Sequence, residues 1–454
     1  MLDPIAPADL LDMLLSSGMP IPSNRAFLNR IAQVACERHN ARRVDQDVPT
    51  MIINPMPLTK QQKDELLGHR LNYVLIFGAE SIYFQDTVHA LAVDGYRSGG
   101  VNVLGTHIDW ISSDGNSVER CLAVDETGLV KEMAFEEPVS IHVVQILHLP
   151  LKRERGFHKE LSRHFREKGI SQINPYDGVS ERADDKSWTH MLWKRCGRQI
   201  ESPECVLITQ GSSREEIVEY LRSFINNTRK SGVVIQPNKS TEGRKVEKFS
   251  LKAGLELLPI VEYIRKQVLP EDDAIVRELR GNVRYRNQLS DLFLNVAFRI
   301  NVAWNGSEFV AESGYAQIAK DEETFPASRG RGGSITDIND AFANLYYLLN
   351  EKWNRLIITD EDVTAMKIAA VNAAYGLNAG LGEDNYLKHM GIDVLLEVCE
   401  SESSTISMLP VVLEANPRPA GLSHSTELTG ISGKKPQPRI STEIFGFAAP
   451  AVRR

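Results

Sequence analysis

The residues best suited to chemistry are Glu414, Asn416 and Arg418, which follow a short apolar run, Leu409-Pro410-Val411-Val412-Leu413. That run has the length and β-branched content of a buried strand. Side chains on a strand alternate faces, so the spacing predicts a carboxylate, an amide oxygen and a guanidinium on one surface. Such a set suits a magnesium nucleotide. Mg²⁺ takes oxygen ligands from one or two carboxylates plus phosphates, and a planar guanidinium grips a pair of phosphoryl or carboxylate oxygens. An ordinary polar strand terminus has the same composition, so the neighbouring segments must decide.

These residues need a scaffold, and composition bounds it. A chain of 454 residues is long enough for two or three domains, and 42% hydrophobic with 25% charged residues is ordinary for a soluble protein with a sizeable core. No apolar run approaches the roughly 18 residues of a membrane span, and Met1-Leu2-Asp3-Pro4 lacks the basic start of a secretory signal. We therefore expect a cytoplasmic protein with no membrane partner. Cys36, Cys121, Cys196, Cys205 and Cys399 form no CxxC pair and read as structural thiols, not as a zinc site or disulfide framework. A net charge of -8 disfavours nucleic acid as a partner, so any anion site must be built locally.

Residues 5 to 40 carry two helical patterns, Leu10, Leu11, Leu14, Leu15 and Phe27, Ile31, Val34, Ala35, separated by Pro20 and Pro22. Met51 to Ile53, Tyr73 to Gly78 and Ile141 to Leu147 read as strands around a helix over Thr59 to Gly68, which predicts an α/β N-terminal domain. His107, His142 and His148 show no HxH or HExxH spacing and read as structural. Phe157 to Lys168 forms an amphipathic helix, with Phe157, Leu161 and Phe165 on its buried stripe and His158 and His164 in solvent. A helix from Arg214 precedes a buried strand, Gly232 to Gln236, which runs into a small-residue loop, Pro237 to Arg244. Such a loop lets backbone N–H groups approach phosphate, and lysine supplies charge. Phe298 to Trp304 alternates as a half-buried strand with Arg299 and Asn301 on one face, and Asn305-Gly306 turns it back into Phe309-Val310-Ala311. Arg329 to Ser334, read as RGRGGS, is a mobile loop or an anion clamp. Ile338 to Leu349 reads as a helix with Ala341, Leu345 and Leu348 inside, and Thr359 to Asp362 caps a helix over Val363 to Tyr375. Glu400 to Met408 reads as an exposed insertion and Gly430 to Pro438 as a surface loop.

Gly391-Ile392-Asp393-Val394-Leu395-Leu396, followed by Leu413-Glu414-Ala415-Asn416-Pro417-Arg418-Pro419, resembles the paired metal-binding strands of the ATP-grasp superfamily. The pattern is close to that of D-alanine:D-alanine ligases, and the Arg after the Asn is similar to biotin carboxylase. The resemblance covers roughly residues 150 to 430. It implies an α/β (α+β) ATP-grasp fold with an additional N-terminal α/β domain over 1–150, a linker helix and lid subdomain over 151–270, and a catalytic subdomain over 271–454. It also implies Mg²⁺ on Asp393, Glu414 and Asn416. Asp185-Lys186 resembles the helix start whose lysine reaches the nucleotide phosphates, although a solvated lysine beside its N-cap aspartates is the plainer reading. The strand and loop from Gly232 resemble the phosphate loop, which puts Gln236, Lys239, Ser240, Thr241, Glu242 and Gly243 at ATP. Two departures stand out: Gln236 replaces the usual lysine, and Gly243 is the single glycine of the loop. We expect Lys239 to supply the missing cation. Ala274 to Gly281 resembles the hinge strand, with Glu278 as the nearest carboxylate for the ribose.

The resemblance therefore implies an ATP- and Mg²⁺-dependent ligase that activates a small-molecule carboxylate as an acyl phosphate and joins it to an amine or thiol. Arg418 would hold the transferring phosphoryl group and Arg299 the substrate carboxylate. A kinase acting on a hydroxyl and a non-catalytic nucleotide-binding scaffold stay open, the latter because of Gln236, and so does a homodimer.

Overall fold

The computed structural model describes residues 56–77, 86–88, 90–91, 101–124, 130–147, 155–228, 231–239, 243–251, 257–328, 331–349, 352–400 and 406–428. The helical patterns of residues 5 to 40, the Met51 to Ile53 strand, His148 and the Gly430 to Pro438 loop lie outside them. No helix among the described residues is long and apolar enough to cross a membrane.

The first unit starts with α1 (Lys60–Leu67), where Thr59 and Gln62 form a reciprocal capping box. It continues through β1 (Leu71–Phe77), β2 (Val101–His107), β3 (Ser117–Val124), β4 (Val130–Ser140), β5 (Val143–Ile146), α2 (Arg155–Glu167) and β6 (Ser171–Ile173). The strands form one sheet in the order β4-β3-β2-β1-β5-β6, with β1 parallel to β2 and β5. The central strand is an unbroken apolar run because both of its faces are covered. On α2 the buried stripe is His158, Leu161 and Phe165, whereas Phe157 is 54% exposed. This corrects the expected stripe and the solvated His158. Residues spaced by four drift about 40° per step around a helix, so a stripe spaced by three and four stays on the core better.

Next come α3 (Gly178–Asp184), α4 (Lys186–Arg195), β7 (Cys205–Ile208), α5 (Arg214–Asn227), β8 (Gly232–Pro237), β9 (Glu247–Ser250), α6 (Leu258–Tyr263) and β10 (Ala274–Glu278). Their strands form a four-stranded antiparallel sheet, β7-β10-β8-β9. One face is a small core in which Ile208, Val233, Ile235, Ala274 and Val276 meet Ile217 and Leu221 of α5 and Ile260 and Val261 of α6. Strand alternation therefore turns Val234, Gln236, Ile275 and Arg277 to the other face.

The third unit contains β11 (Val283–Arg286), β12 (Phe293–Trp304), β13 (Phe309–Ile318), β14 (Ser334–Asp337), α7 (Ile338–Phe342), β15 (Leu345–Leu349), β16 (Lys352–Arg355), α8 (Asp360–Leu377), β17 (His389–Glu400), β18 (Ile406–Asn416) and β19 (Thr426–Glu427). All nine strands join one sheet, in which β17 lies between β12 and β18. The apolar side of α8, Val363, Met366, Ala370, Ala373 and Ala374, packs beneath it against Ile392, Val394 and Val412. By sheet membership the first unit closes at Ile173 and the second at Glu278, both later than the boundaries read from sequence.

Two expected elements differ. The helix over Ile338 to Leu349 stops at Phe342, and Leu345–Leu349 is instead β15, paired with β11 through Val283 and Tyr347. Its two tyrosines favour a strand, and sheet pairing overrides a helical spacing this short. Leu348 accordingly points outward at 49% exposure. The insertion over Glu400 to Met408 is shorter than expected, since Glu400 pairs with Ile406 and Cys399 with Ser407.

Glu132 on β4 is the least comfortable group in the first core. Burial pushes its carboxyl up to about 7, against the pull of Arg120, whose Nη1 lies 3.0 Å away. The folded state thus holds a proton to higher pH than the unfolded chain, so stability falls as pH rises from about 4.5 to about 7. The full effect is of order 3 kcal/mol at 1.4 kcal/mol per pKa step. Urea unfolding across this range should show that fall, and Glu132→Gln should flatten it; an equal slope in the variant would assign the effect elsewhere.

Candidate active site

The centre of the site is a cross-strand pair. Asp393 on β17 stands opposite Glu414 on β18, and Val394 pairs with Val412, so Leu413 is an extra residue that bulges β18 at this point. A bulge re-aims side chains, and here it sets two carboxylates side by side in a buried cleft. Its spare carbonyl is satisfied: Arg277 of β10 donates from Nη1 to Leu413 O at 3.0 Å. Asn416 completes the group, its Nδ2 3.4 Å from Asp393 Oδ2 and 3.4 Å from Gly391 O.

Two carboxylates in contact, Asp393 buried and Glu414 with 32% of its side chain exposed, need positive charge. Arg299 on β12, whose register partner is Asp393, grips it through Nε at 2.6 Å and Nη2 at 2.7 Å. Lys186, the first residue of α4, is buried with its Nζ 4.0 Å from Glu414 and 3.5 Å from Asn238 O. Burial would raise Glu414, but Lys186, Arg299 and Arg277 outweigh it and hold the carboxyl below its ordinary value. For Asp393 the balance goes the other way: burial and Glu414 push it up to about 6 against Arg299, which still leaves it ionised at neutral pH. The pair titrates as a unit. Burial lowers Lys186, with Glu414, Asp184 and Asp272 opposing. Three cations thus face two carboxylates, an arrangement open to a further anion.

The donor set is hard oxygen, two carboxylates and an amide, which matches Mg²⁺ and not a soft metal. Among the described residues no cluster of three His, Cys, Asp or Glu side chains stands ready for a metal. His142 is used structurally, its Nδ1 accepting from Asn72 N at 3.0 Å.

Local structure explains how these groups meet. Asp185 is the N-cap of α4, its carboxylate accepting from Trp188 N, while Asn238 just after β8 accepts Ser187 N on Oδ1 and Lys186 N on its carbonyl. The helix start and the loop after β8 are therefore one assembly. Asn174, in a left-handed conformation at φ 52, clamps the start of β17 and the segment just after β18. Its Oδ1 accepts Lys388 N and its Nδ2 donates to His389 O and to Pro417 O. Asn tolerates that conformation better than most residues.

The remaining expected residues are placed as follows. Arg418 lies past the end of β18, where alternation no longer holds. It binds both oxygens of Asp184 through Nη2 at 2.7 and 2.8 Å and lies over the Tyr176 ring. Its buried Nε and Nη1 find no hydrogen-bond partner among the described residues. Gln236 is buried on the face of β8 opposite the α5–α6 core. The half-exposed ammonium of Lys239 reaches Asp185 at 3.5 Å, and its backbone N donates to Asp272. Ser240, Thr241 and Glu242 lie outside the described residues, and Gly243 has φ 68. Glu278 falls on the helix-covered side of β10 and is occupied by Thr228 Oγ1 at 2.9 Å and Glu204 N at 3.2 Å. Of the RGRGGS segment, Arg331 donates to Gly243 O and Val246 O, closing on the loop backbone and not on an open anion site.

No protein-family model matches the chain, and no curated protein matches it in sequence. Solved structures do. The VanG D-Ala:D-Ser ligase from Enterococcus faecalis matches at 14% identity over 85% of this chain and 99% of that one, with a TM-score of 0.46. The D-cycloserine synthetase DcsG matches at 12% identity, 84% and 99% coverage and a TM-score of 0.47. The ATP-grasp ligase PsnB, complexed with its minimal precursor, matches at 13% identity, 84% and 99% coverage and a TM-score of 0.42.

Arg277 and Asn174 were missed in the sequence. Arg277 had a signal, since one charged side chain interrupts an otherwise apolar strand, Ala274-Ile275-Val276. Asn174 had none, because its partners are backbone groups more than 200 residues away.

The bidentate Arg299–Asp393 contact generates a test. Arg299→Met strands a buried carboxylate and should cost about 3–5 kcal/mol in chemical denaturation, whereas Arg299→Met with Asp393→Asn should recover most of it. Additive losses would mean that the two residues do not act as a pair.

Proposed function

We propose that the protein is an ATP-dependent carboxylate–amine ligase of the ATP-grasp type. The observation that carries this reading is the Asp393–Glu414 pair beside Asn416, facing Lys186, Arg277 and Arg299 in one cleft between two sheets. Asp393, Glu414 and Asn416 would hold Mg²⁺, which supplies charge to a bound polyphosphate when present. Lys186, fixed at the helix start by Asn238, keeps a cation in a water-poor place where it acts on phosphate more strongly than at a surface. Arg418, with Nε and Nη1 free of hydrogen bonds among the described residues, offers two donors for charge that develops on a transferring phosphoryl group. Arg299, already gripping Asp393, supports the metal carboxylate in preference to a substrate carboxylate. The γ-phosphoryl group passes to a carboxylate oxygen, ADP leaves, and an amine then displaces phosphate from the acyl carbon. We place the protein in the cytoplasm, consistent with the free Cys121, Cys196, Cys205 and Cys399.

Two measurements test this. Purified protein with Mg-ATP and a panel of carboxylic and amino acids should release ADP, and hydroxylamine should trap the activated carboxylate as a hydroxamate. Release of AMP and pyrophosphate would refute the mechanism, and ADP with a phosphorylated hydroxyl product would make the protein a kinase. Secondly, Glu414→Gln removes one of two touching carboxylates, so turnover should fall by at least about 100-fold while the ligand-free melting temperature stays within a few degrees. Equal loss of turnover and fold would make Glu414 structural.

A further inference from the structure

The sequence lacks a lysine at Gln236, and Lys239 does not stand in for it, because its ammonium faces Asp185 at the rim. The cleft face of the lid sheet nevertheless has a cation. Ile275 is the register partner of Gln236, and Arg277 follows two residues later on the same face, one diagonal step across the ladder. Diagonal neighbours lie about 7–8 Å apart, within reach of a long side chain. From there the guanidinium crosses the cleft to Leu413 O, the carbonyl next to Glu414.

Arg277 is 6% exposed and makes only that one hydrogen bond among the described residues, leaving Nε and Nη2 unused, and no carboxylate forms an ion pair with it there. One bond to a neutral carbonyl does not compensate a buried guanidinium, whose planar fork is built to hold two oxygens at once. Burial pulls its pKa down, with Cys205 and Glu414 opposing. Arg284 is the other arginine lowered by burial, and it is anchored to carbonyls of its own turn, Gly281 O and Val283 O, on the third unit. Arg277 instead bridges the two sheets at the carboxylate pair, so an anion placed between them would meet it.

We propose that Arg277 is a ligand-binding residue that takes a phosphate of the nucleotide, doing from the neighbouring strand what a lysine at position 236 would do. The proposal rests on the nucleotide-binding reading above and assigns a binding role to a residue outside the motifs that led to that reading. The plainer alternative is that Arg277 only caps the bulged carbonyl of Leu413.

Competition binding separates the two, using ATP with Mg²⁺, ADP with Mg²⁺, and adenosine as probes against a fluorescent nucleotide. Arg277→Met should weaken ATP by about 30- to 100-fold, ADP by a similar factor, and adenosine by less than about 3-fold. Arg277→Lys should keep ATP within about 10-fold of the unaltered chain. Gln236→Lys combined with Arg277→Met restores the charge without restoring the bulge cap and should recover ATP binding to within about 10-fold. Equal weakening of ATP and adenosine, unchanged ATP affinity, or no recovery in the double variant would each overturn the proposal. If Arg277→Met does not fold, Arg277→Lys alone and with Gln236→Lys carries the test: the double variant should bind ATP more tightly than Arg277→Lys, and no gain would overturn it. Failure of the unaltered chain to bind any nucleotide would bring down the ligase reading as well, whereas nucleotide binding indifferent to Arg277 would remove this inference alone.

Discussion

The structure turns on the contact between Asp393 and Glu414. Two carboxylates side by side, one buried and one half-buried, repel each other and lose hydration, so they persist where the surroundings supply cations and fixed geometry. The second and third units both contribute. The third sheet gives the two strands and Arg299, the four-stranded sheet gives Arg277, and the start of α4 gives Lys186. The bulge at Leu413 puts the carboxylates opposite each other, and Arg277 satisfies the carbonyl that the bulge sets free. Removing any of these parts leaves either a charge or a backbone group unpaired in a dry place, which explains why so polar a centre sits in ordered structure.

The first unit is tied to the same centre through backbone and side-chain polar contacts. Asn174, just after β6, holds the start of β17 and the end of β18 at once. Beside it, Tyr73 donates to Gln145 Oε1 at 2.5 Å and Gln145 meets His389 Nδ1 at 2.9 Å, so β1, β5 and β17 share one buried chain of hydrogen bonds. Burial holds His389 down at about 4, so this chain stays neutral through the physiological range. A neutral link transmits position without adding charge to a cleft whose electrostatics are already closely balanced.

Much of this was legible in the sequence, for a definite reason. Asp393, Glu414 and Asn416 sit on apolar strands whose period of two fixes their faces, and Lys186 follows an N-cap aspartate that fixes the helix start. Where such local rules stop, the reading failed. Arg418 lies beyond the last residue of β18, so the alternation that put it on one surface with Glu414 and Asn416 does not reach it, and the partner it finds, Asp184, comes from a helix distant in sequence. Glu278 was matched by spacing along the chain, yet it falls on the face of β10 that is covered by helices. Lys239 was chosen because it was the next lysine in sequence, but its ammonium meets Asp185, while Arg277 shares the face of Gln236 one diagonal step across the ladder.

That last point concerns what a strand position can exchange. In an antiparallel ladder the neighbours of a side chain are its cross-strand and diagonal partners, closer in space than residues a few places further along an irregular loop. A cation can therefore move from β8 to β10 and keep the same cleft face, provided that parity along each strand is preserved. Gln236 and Arg277 satisfy that parity, while Glu278, one residue later, does not. The four-stranded sheet is also held at two further points: Arg280 joins Glu397 and Glu201 after β10, and Arg331 grips Gly243 O and Val246 O beyond β8. With both ends fastened, the distance between the cleft face of β10 and the bulge in β18 is constrained, and Arg277, longer than the glutamine at position 236, spans it to Leu413 O.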